Sequence, residues 1–287
     1  MIIDFHTHIW PDALAPRALS SLSDTAGGIF TPVTDGTTQG LLAYMSSVGV
    51  DVSVVQPVIT KEKQAFSTNE WAATLSAVRL PAAPQAHLVA FGAVWPHSEA
   101  WREQVDQASL LGLKGIKFHP EYQQFTVDDE KYFPIYDYIL SKGMHILFHA
   151  GYDPGYPPPF HSSPAQFARI IRTLGDTRGS LILAHLGSSR MWDAVESEVA
   201  GLNCYIDTSM GFFDYGKDQF LRIARKHGTD RLLFATDSPW SNATDEIKAL
   251  RSLAEESEDG AGLTHAEVDA ILGGNAARLL SLAEDEI

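Results

Sequence analysis

Five runs of this sequence end in side chains that can ligate a cation or carry a proton. They are Asp4-Phe5-His6-Thr7-His8, Ile116-Lys117-Phe118-His119, Ile146-Leu147-Phe148-His149, Leu183-Ala184-His185 and Phe234-Ala235-Thr236-Asp237. His6 and His8 stand two apart, so on a strand their rings point to one face. With His149 and Asp237 they form three imidazoles and one carboxylate. That donor set suits one borderline divalent cation, Zn²⁺ first and Mn²⁺ or Co²⁺ after it, with room for a water. Such an ion lowers the pKa of bound water to about 7 and polarises a substrate carbonyl. A lone histidine at a strand end is ordinarily a hydrogen-bonded rim residue, and His-x-His is by itself a short motif. The signal lies in the joint placement of all five runs.

What must position these groups is an alternation of elements along the whole chain. Eight β-rich runs can be marked: Met1–His6, Val52–Pro57, Leu88–Trp95, Gly115–His119, His145–His149, Leu181–His185, Cys204–Thr208 and Arg231–Asp237. Between them apolar residues recur at helical spacing: Leu41, Leu42, Met45 and Val48; Trp101, Val105, Ala108 and Leu111; Trp192, Val195 and Val199; Ile247, Leu250 and Leu253. Ser98 precedes one helix, Gly112, Gly143 and Gly228 close others, and Thr264 with Glu267 makes a capping box after the last strand. Strands apolar throughout, each followed by a helix, indicate a parallel sheet covered by helices. Eight such units predict an α/β fold closed as a (β/α)₈ TIM barrel, and no glycine-rich phosphate fingerprint follows the first strand to argue for an open sheet.

The expectation is one barrel domain over residues 1–287, with loop insertions at about 9–39 and 151–164 and a C-terminal helical segment at about 264–284. Both insertions follow strands, so both emerge on the face where barrel enzymes keep their active sites. Trp10, Trp95, Tyr152 and Trp240 lie just beyond strand ends as candidate walls of a substrate pocket, with His97 and Tyr122 beside them. His87, His145, His227 and His265 precede strands or lie in helices and are read as structural.

Composition sets the outer limits. The chain has 287 residues, with 21 Lys+Arg against 36 Asp+Glu and a formal net charge of −15. That balance argues against nucleic acid or an anionic membrane as partner and leaves a small molecule. One cysteine, Cys204, excludes an internal disulfide and a cysteine-based zinc cluster. Neither a secretory leader nor an apolar run of membrane-spanning length is visible, so a cytoplasmic protein is expected. The oligomeric state is open, a homo-oligomer included.

The ordered motifs resemble the amidohydrolase superfamily, in the amidohydrolase-related branch that includes aminocarboxymuconate-semialdehyde and resorcylate decarboxylases. They run from Ile3-Asp4-Phe5-His6-Thr7-His8 through Gly115-Ile116-Lys117-Phe118-His119-Pro120, Phe148-His149-Ala150-Gly151 and Ala184-His185-Leu186-Gly187. Ala235-Thr236-Asp237-Ser238-Pro239 and Gly274-Asn275-Ala276-Ala277-Arg278-Leu279-Leu280 complete the set. The resemblance implies that His6, His8, His149 and Asp237 bind the metal, that Asp237 takes the proton of the attacking water, and that His185 stands by as acid/base or electrostatic partner. In some superfamily members a fourth-strand lysine is carbamylated between two metals. Here the preferred expectation is that Lys117 and His119 contact a substrate carbonyl or carboxylate beside a single ion.

Two reactions follow from such a centre. One is hydrolysis of an amide, lactone or ester by metal-activated water. The other is non-oxidative decarboxylation of a small unsaturated or aromatic acid, which needs a cation such as Lys117 or Arg190 for the carboxylate. A barrel kept only for binding is disfavoured, because every ligand position of the motif is filled.

Overall fold

The computed structural model describes residues 1–255 and 262–282. Among them, all eight expected strands form, each parallel to the next. They span Ile3–Thr7, Val52–Val55, His87–Ala90 continued by Gly92–Ala93, Gly115–Phe118, His145–Phe148, Leu181–Leu183, Tyr205–Asp207 and Leu232–Leu233. The third strand is broken only at Phe91, whose amide still donates to the Val55 carbonyl at 3.0 Å. Gly92 is required there by space: a Cβ would stand 2.7 Å from Asn69 Oδ1 and 2.9 Å from Leu113 Cδ1.

The eighth strand returns to lie along the first. Phe5 donates to Phe234 O at 2.9 Å, Asp237 to His6 O at 2.8 Å and His8 to Ser238 O at 2.6 Å. These bonds join the two edges of the sheet, so the strands make the ring of a TIM barrel rather than an open sheet.

Side-chain alternation divides the core in two. Ile3, Phe5, Val52, Val54, Leu147, Ile182, Ala184, Leu233 and Ala235 pack together as one buried cluster drawn from strands around the ring. Their neighbours Val55, Ile116, Phe118, Ile146, Phe148, Leu183, Ile206 and Leu232 face a second cluster with helix residues such as Leu41, Met45, Val105, Ile139, Phe167 and Leu250. One face fills the barrel and the other carries the helices, as the period of two requires.

The helical expectations hold at Thr38–Val48, Trp101–Leu110 and Ala243–Glu255, and Gly112, Gly143 and Gly228 all take positive φ at helix ends. The Thr264–Glu267 capping box forms in full. From there helical turns run through Asn275–Leu280; residues 283–284 of the expected segment lie outside the described residues. One expectation needs correction. The insertion at 9–39 is not simply a loop, because Ala15–Thr25 is a helix, hereafter α1, with Pro16 in its first turn. Pro at a helix start gives up no intrahelical bond and presets φ, so the proline that suggested a loop marks a helix start instead. Among the described residues, no helix is long and apolar enough to cross a membrane.

Candidate active site

The strand ends meet at one cavity of about 470 Å³, lined at its floor by His6, His8, Lys117, His119, His149, His185 and Asp237. The first strand delivers two of these through a register shift between Asp4 and Thr7. Phe5 points into the barrel filling, and the irregularity lets the next side chain, His6, enter the cavity as well. His185 and Asp237 sit at φ 60° and 64°. Non-glycine residues held in this region store strain that surrounding structure must offset, and such residues cluster at functional sites.

Hydrogen bonds fix how the first-strand imidazoles present themselves. His6 Nδ1 lies 2.9 Å from the Asp207 carboxylate, and His8 Nδ1 lies 2.7 Å from the Gln56 carbonyl. Both partners only accept, so each ring carries its proton on Nδ1 and leaves a lone pair on Nε2. Those two Nε2 atoms are 3.1 Å apart, and Asp237 Oδ1 is 3.0 Å from His8 Nε2 and 3.5 Å from His6 Nε2. Burial, reinforced by the nearby Lys117 charge, holds His6 neutral by pulling its pKa well down. Burial works to raise the Asp237 pKa, but the His6, His8 and His185 imidazoles around it outweigh this, hold it below the usual carboxylate value and keep the carboxyl ionised.

This geometry fits a divalent cation on two counts. His6, His8 and Asp237 converge, with ligand atoms all within 4.8 Å of one another. His149 Nε2 is buried with no hydrogen-bond partner among the described residues, a loss of roughly 1–3 kcal/mol for a polar atom unless something binds it. The Lys117 ammonium lies 2.9 Å from His6 Nε2 and already places a positive charge at the edge of this cluster. Burial pushes its pKa down to about 8, so the amine loses its proton at modest cost.

The structure brings His6, His8, Lys117, His119, His149, His185 and Asp237 together, with Trp10, Tyr152 and Trp240 on the cavity wall. Trp95 is not brought there. Its ring packs on Ile59, Ala65 and Ala93 and lies 5.8 Å from the His97 ring, while Gln104 holds its amide from outside the cavity. His149 also stands apart from the first-strand pair: its Nδ1 is 3.0 Å from His185 Nε2, and it converges with His119 and Asp153 in a second group.

Of the residues in and behind the pocket, Arg17, Asp153, Asp207 and Ser209 were not singled out as functional from the sequence. Asp153 lies 3.3 Å from His119 Nε2, and the His119 ring is stacked between Tyr122 and His149 at centroid distances of 3.7 and 4.1 Å. Buried Glu121 accepts from the His161 amide at 2.7 Å and from its ring at 2.6 Å, which pins the insertion carrying Asp153. Arg17 of α1 and Arg190 add two cations at the cavity wall. Behind the floor, Asp207 and Ser209 bond to both His6 and His185. No signal of the kind that marked Asp237 existed for Asp207, since its run, Cys204–Thr208, ends in a threonine.

The comparisons agree with this architecture. The family model described as Amidohydrolase matches residues 3–282. An uncharacterised TIM-barrel protein of Bordetella bronchiseptica superposes with a TM-score of 0.74 at 18% identity, over 98% of each chain. A dihydroxybenzoic acid decarboxylase of Polaromonas, solved with manganese and the inhibitor 2-nitroresorcinol, has a TM-score of 0.67 at 15% identity, over 100% of this chain and 98% of its own. A protein described as a probable 2-pyrone-4,6-dicarboxylic acid hydrolase, from Acinetobacter baumannii, has a TM-score of 0.62 at 14% identity, over 98% and 99%. No curated protein matches by sequence.

Proposed function

The chain belongs to the amidohydrolase family, and from that premise we propose that it is a metal-dependent hydrolase of a small molecule, cleaving an amide, lactone or ester. His6, His8, His149 and Asp237 would hold one divalent ion, Zn²⁺ by donor type, with Mn²⁺ or Co²⁺ able to replace it. When bound, the ion supplies a polarised substrate carbonyl and a water acidic enough to ionise near neutral pH.

The chain's own groups do the rest. Asp237 accepts the proton of the attacking water and returns it to the leaving atom. Lys117 and His119 hold the substrate carbonyl or carboxylate from the fourth strand, and Trp10, Tyr152 and Trp240 shut its apolar part away from water. Both ring nitrogens of His185 are already engaged, one by Ser209 at 2.9 Å and one by His149 at 3.0 Å. Proton transfer by His185 therefore costs one of these bonds, which leaves Asp237 as the readier base. The observation that carries the reading is Asp237 itself: an ionised carboxylate facing the cavity beside two lone-pair-presenting imidazoles.

One observation favours a second reading. Arg17, Lys117 and Arg190 line the cavity and suit an acid substrate, as a carboxy-lyase would require. Lys117 and an arginine would then grip the carboxylate, and protonated Asp237 or His185 would deliver a proton to carbon as CO₂ leaves. Zn²⁺-loaded protein assayed with lactones, amides, esters and aromatic acids in ¹⁸O-water separates the two. One solvent-derived labelled oxygen in the organic product supports hydrolysis, whereas CO₂ release with no label in the organic product supports the lyase. Fully loaded protein that turns over no lactone, amide or ester would overturn the first reading.

A further inference from the structure

His149 owes its bare Nε2 to residues that never touch that atom. Asp207 is fully buried, and its Oδ1 accepts from the amides of His185 and Ser209, both at 3.0 Å, and from the Ser209 hydroxyl at 2.5 Å. A carboxylate has no proton to give, so the Ser209 hydroxyl proton is committed to it. Ser209 Oγ can then only accept from His185 Nδ1, which lies 2.9 Å away. His185 therefore carries its proton on Nδ1 and a lone pair on Nε2. That lone pair faces His149 Nδ1 at 3.0 Å, and the contact is a hydrogen bond only if His149 is also protonated on Nδ1. A neutral imidazole holds one proton, so His149 Nε2 is left bare, as a buried atom with no hydrogen-bond partner among the described residues.

We infer that Asp207 and Ser209 are positioning residues that act through His185 to lock His149 in the tautomer whose Nε2 can take a metal ion. The chain runs in one direction because it starts at an obligate acceptor. Asp207 sets His6 as well, since its Oδ2 takes the His6 Nδ1 proton at 2.9 Å. One buried carboxylate thus prepares imidazoles from the first and fifth strands, which are not neighbours in the ring. A carboxylate behind a ligand histidine ordinarily contributes through a single bond; here a serine and a third histidine relay it. The inference rests on the metal reading above for its purpose, but the tautomers exist in metal-free protein and can be read there.

The two substitutions act on different rings. Ser209→Ala cuts the relay and leaves Asp207 on His6. His149 then populates both tautomers, while His6 keeps its proton on Nδ1. Asp207→Asn does the opposite: its amide oxygen must face the backbone amides and the Ser209 hydroxyl, so its NH₂ faces His6 and drives the proton to Nε2. His149 is then unchanged.

The test is long-range ¹H–¹⁵N correlation of ¹⁵N-histidine-labelled metal-free protein, paired with Zn²⁺ affinity from competition with a chromophoric chelator. Wild-type protein should show His149 and His185 protonated on Nδ1. Each variant should alter only its own ring and weaken Zn²⁺ by about 10- to 100-fold, and Ser209→Thr, which keeps the hydroxyl, should restore both readouts. His149 protonated on Nε2 in the wild type overturns the inference, as does Ser209→Ala with unchanged tautomers. Wild-type protein that binds no Zn²⁺ defeats the metal reading instead, and the tautomers still decide the relay.

Discussion

The buried Asn275 side chain donates from Nδ2 to the carbonyl oxygens of Thr229 and Leu232, each at 2.8 Å, and so ties the C-terminal helical segment to the start of the last strand. Its own Oδ1 accepts from Arg278 at 2.9 Å. Removing the amide leaves the Leu232 carbonyl buried without this donor. Asn275→Ala should therefore lower unfolding free energy by about 2 kcal/mol, read by denaturant titration, with the Zn²⁺ content of the folded protein unchanged. A loss below a few tenths of a kcal/mol would show that the strap is decorative.

Stability should also depend on pH through His227. Its Nε2 lies 2.9 Å from the Cys204 carbonyl, and burial, with help from the Arg231 charge, pulls its pKa down to about 4. The folded state therefore keeps the ring neutral, while the unfolded chain takes a proton near pH 6.5. The contribution is fully present above pH 6.5 and is lost as pH falls towards 4, amounting to at most about 3 kcal/mol. Melting temperatures of wild type and His227→Gln should converge as pH drops from 7 to about 4. A constant gap across that range contradicts the assignment.

The Glu121–His161 clamp predicts a local effect. Glu121 is almost wholly buried and gives both carboxylate oxygens to one residue of the insertion. Charge-assisted bonds of this kind contribute about 1.5–3 kcal/mol. In Glu121→Gln, hydrogen exchange of residues 151–162 should speed up about 10-fold or more, with the barrel strands unaffected. Equal exchange in both proteins would mean that the insertion is held by other contacts.

Asp237→Asn tests the proposed base. It removes the proton acceptor but keeps the shape, so kcat/KM should fall by at least about 100-fold while circular dichroism stays the same. Activity within a factor of about two of wild type would remove Asp237 from proton transfer.

How much was legible in the sequence follows from what kind of signal each part carries. The eight strands were visible because their runs are apolar on both faces, and the pleat needs nothing more. His6, His8, His149 and Asp237 were visible because the C-terminal ends of parallel barrel strands must share a rim. Helix α1 was missed although Leu14, Ala18 and Leu22 recur every four residues, because its apolar face looks into the cavity and its prolines resembled loop punctuation. Trp95 was misplaced because which side a strand-end ring falls on depends on the turn after it. Asp207, Ser209 and Asp153 carry no motif of their own, and only the fold shows that they stand beside histidines more than twenty residues away.

The most direct measurement is metal content after loading with excess Zn²⁺ and gel filtration, made on wild type and on the His6→Ala/His8→Ala double variant. About one ion per chain is expected in the wild type and essentially none in the variant, with both proteins folded. Full occupancy in the variant, or a folded wild type that retains no ion, would contradict this expectation.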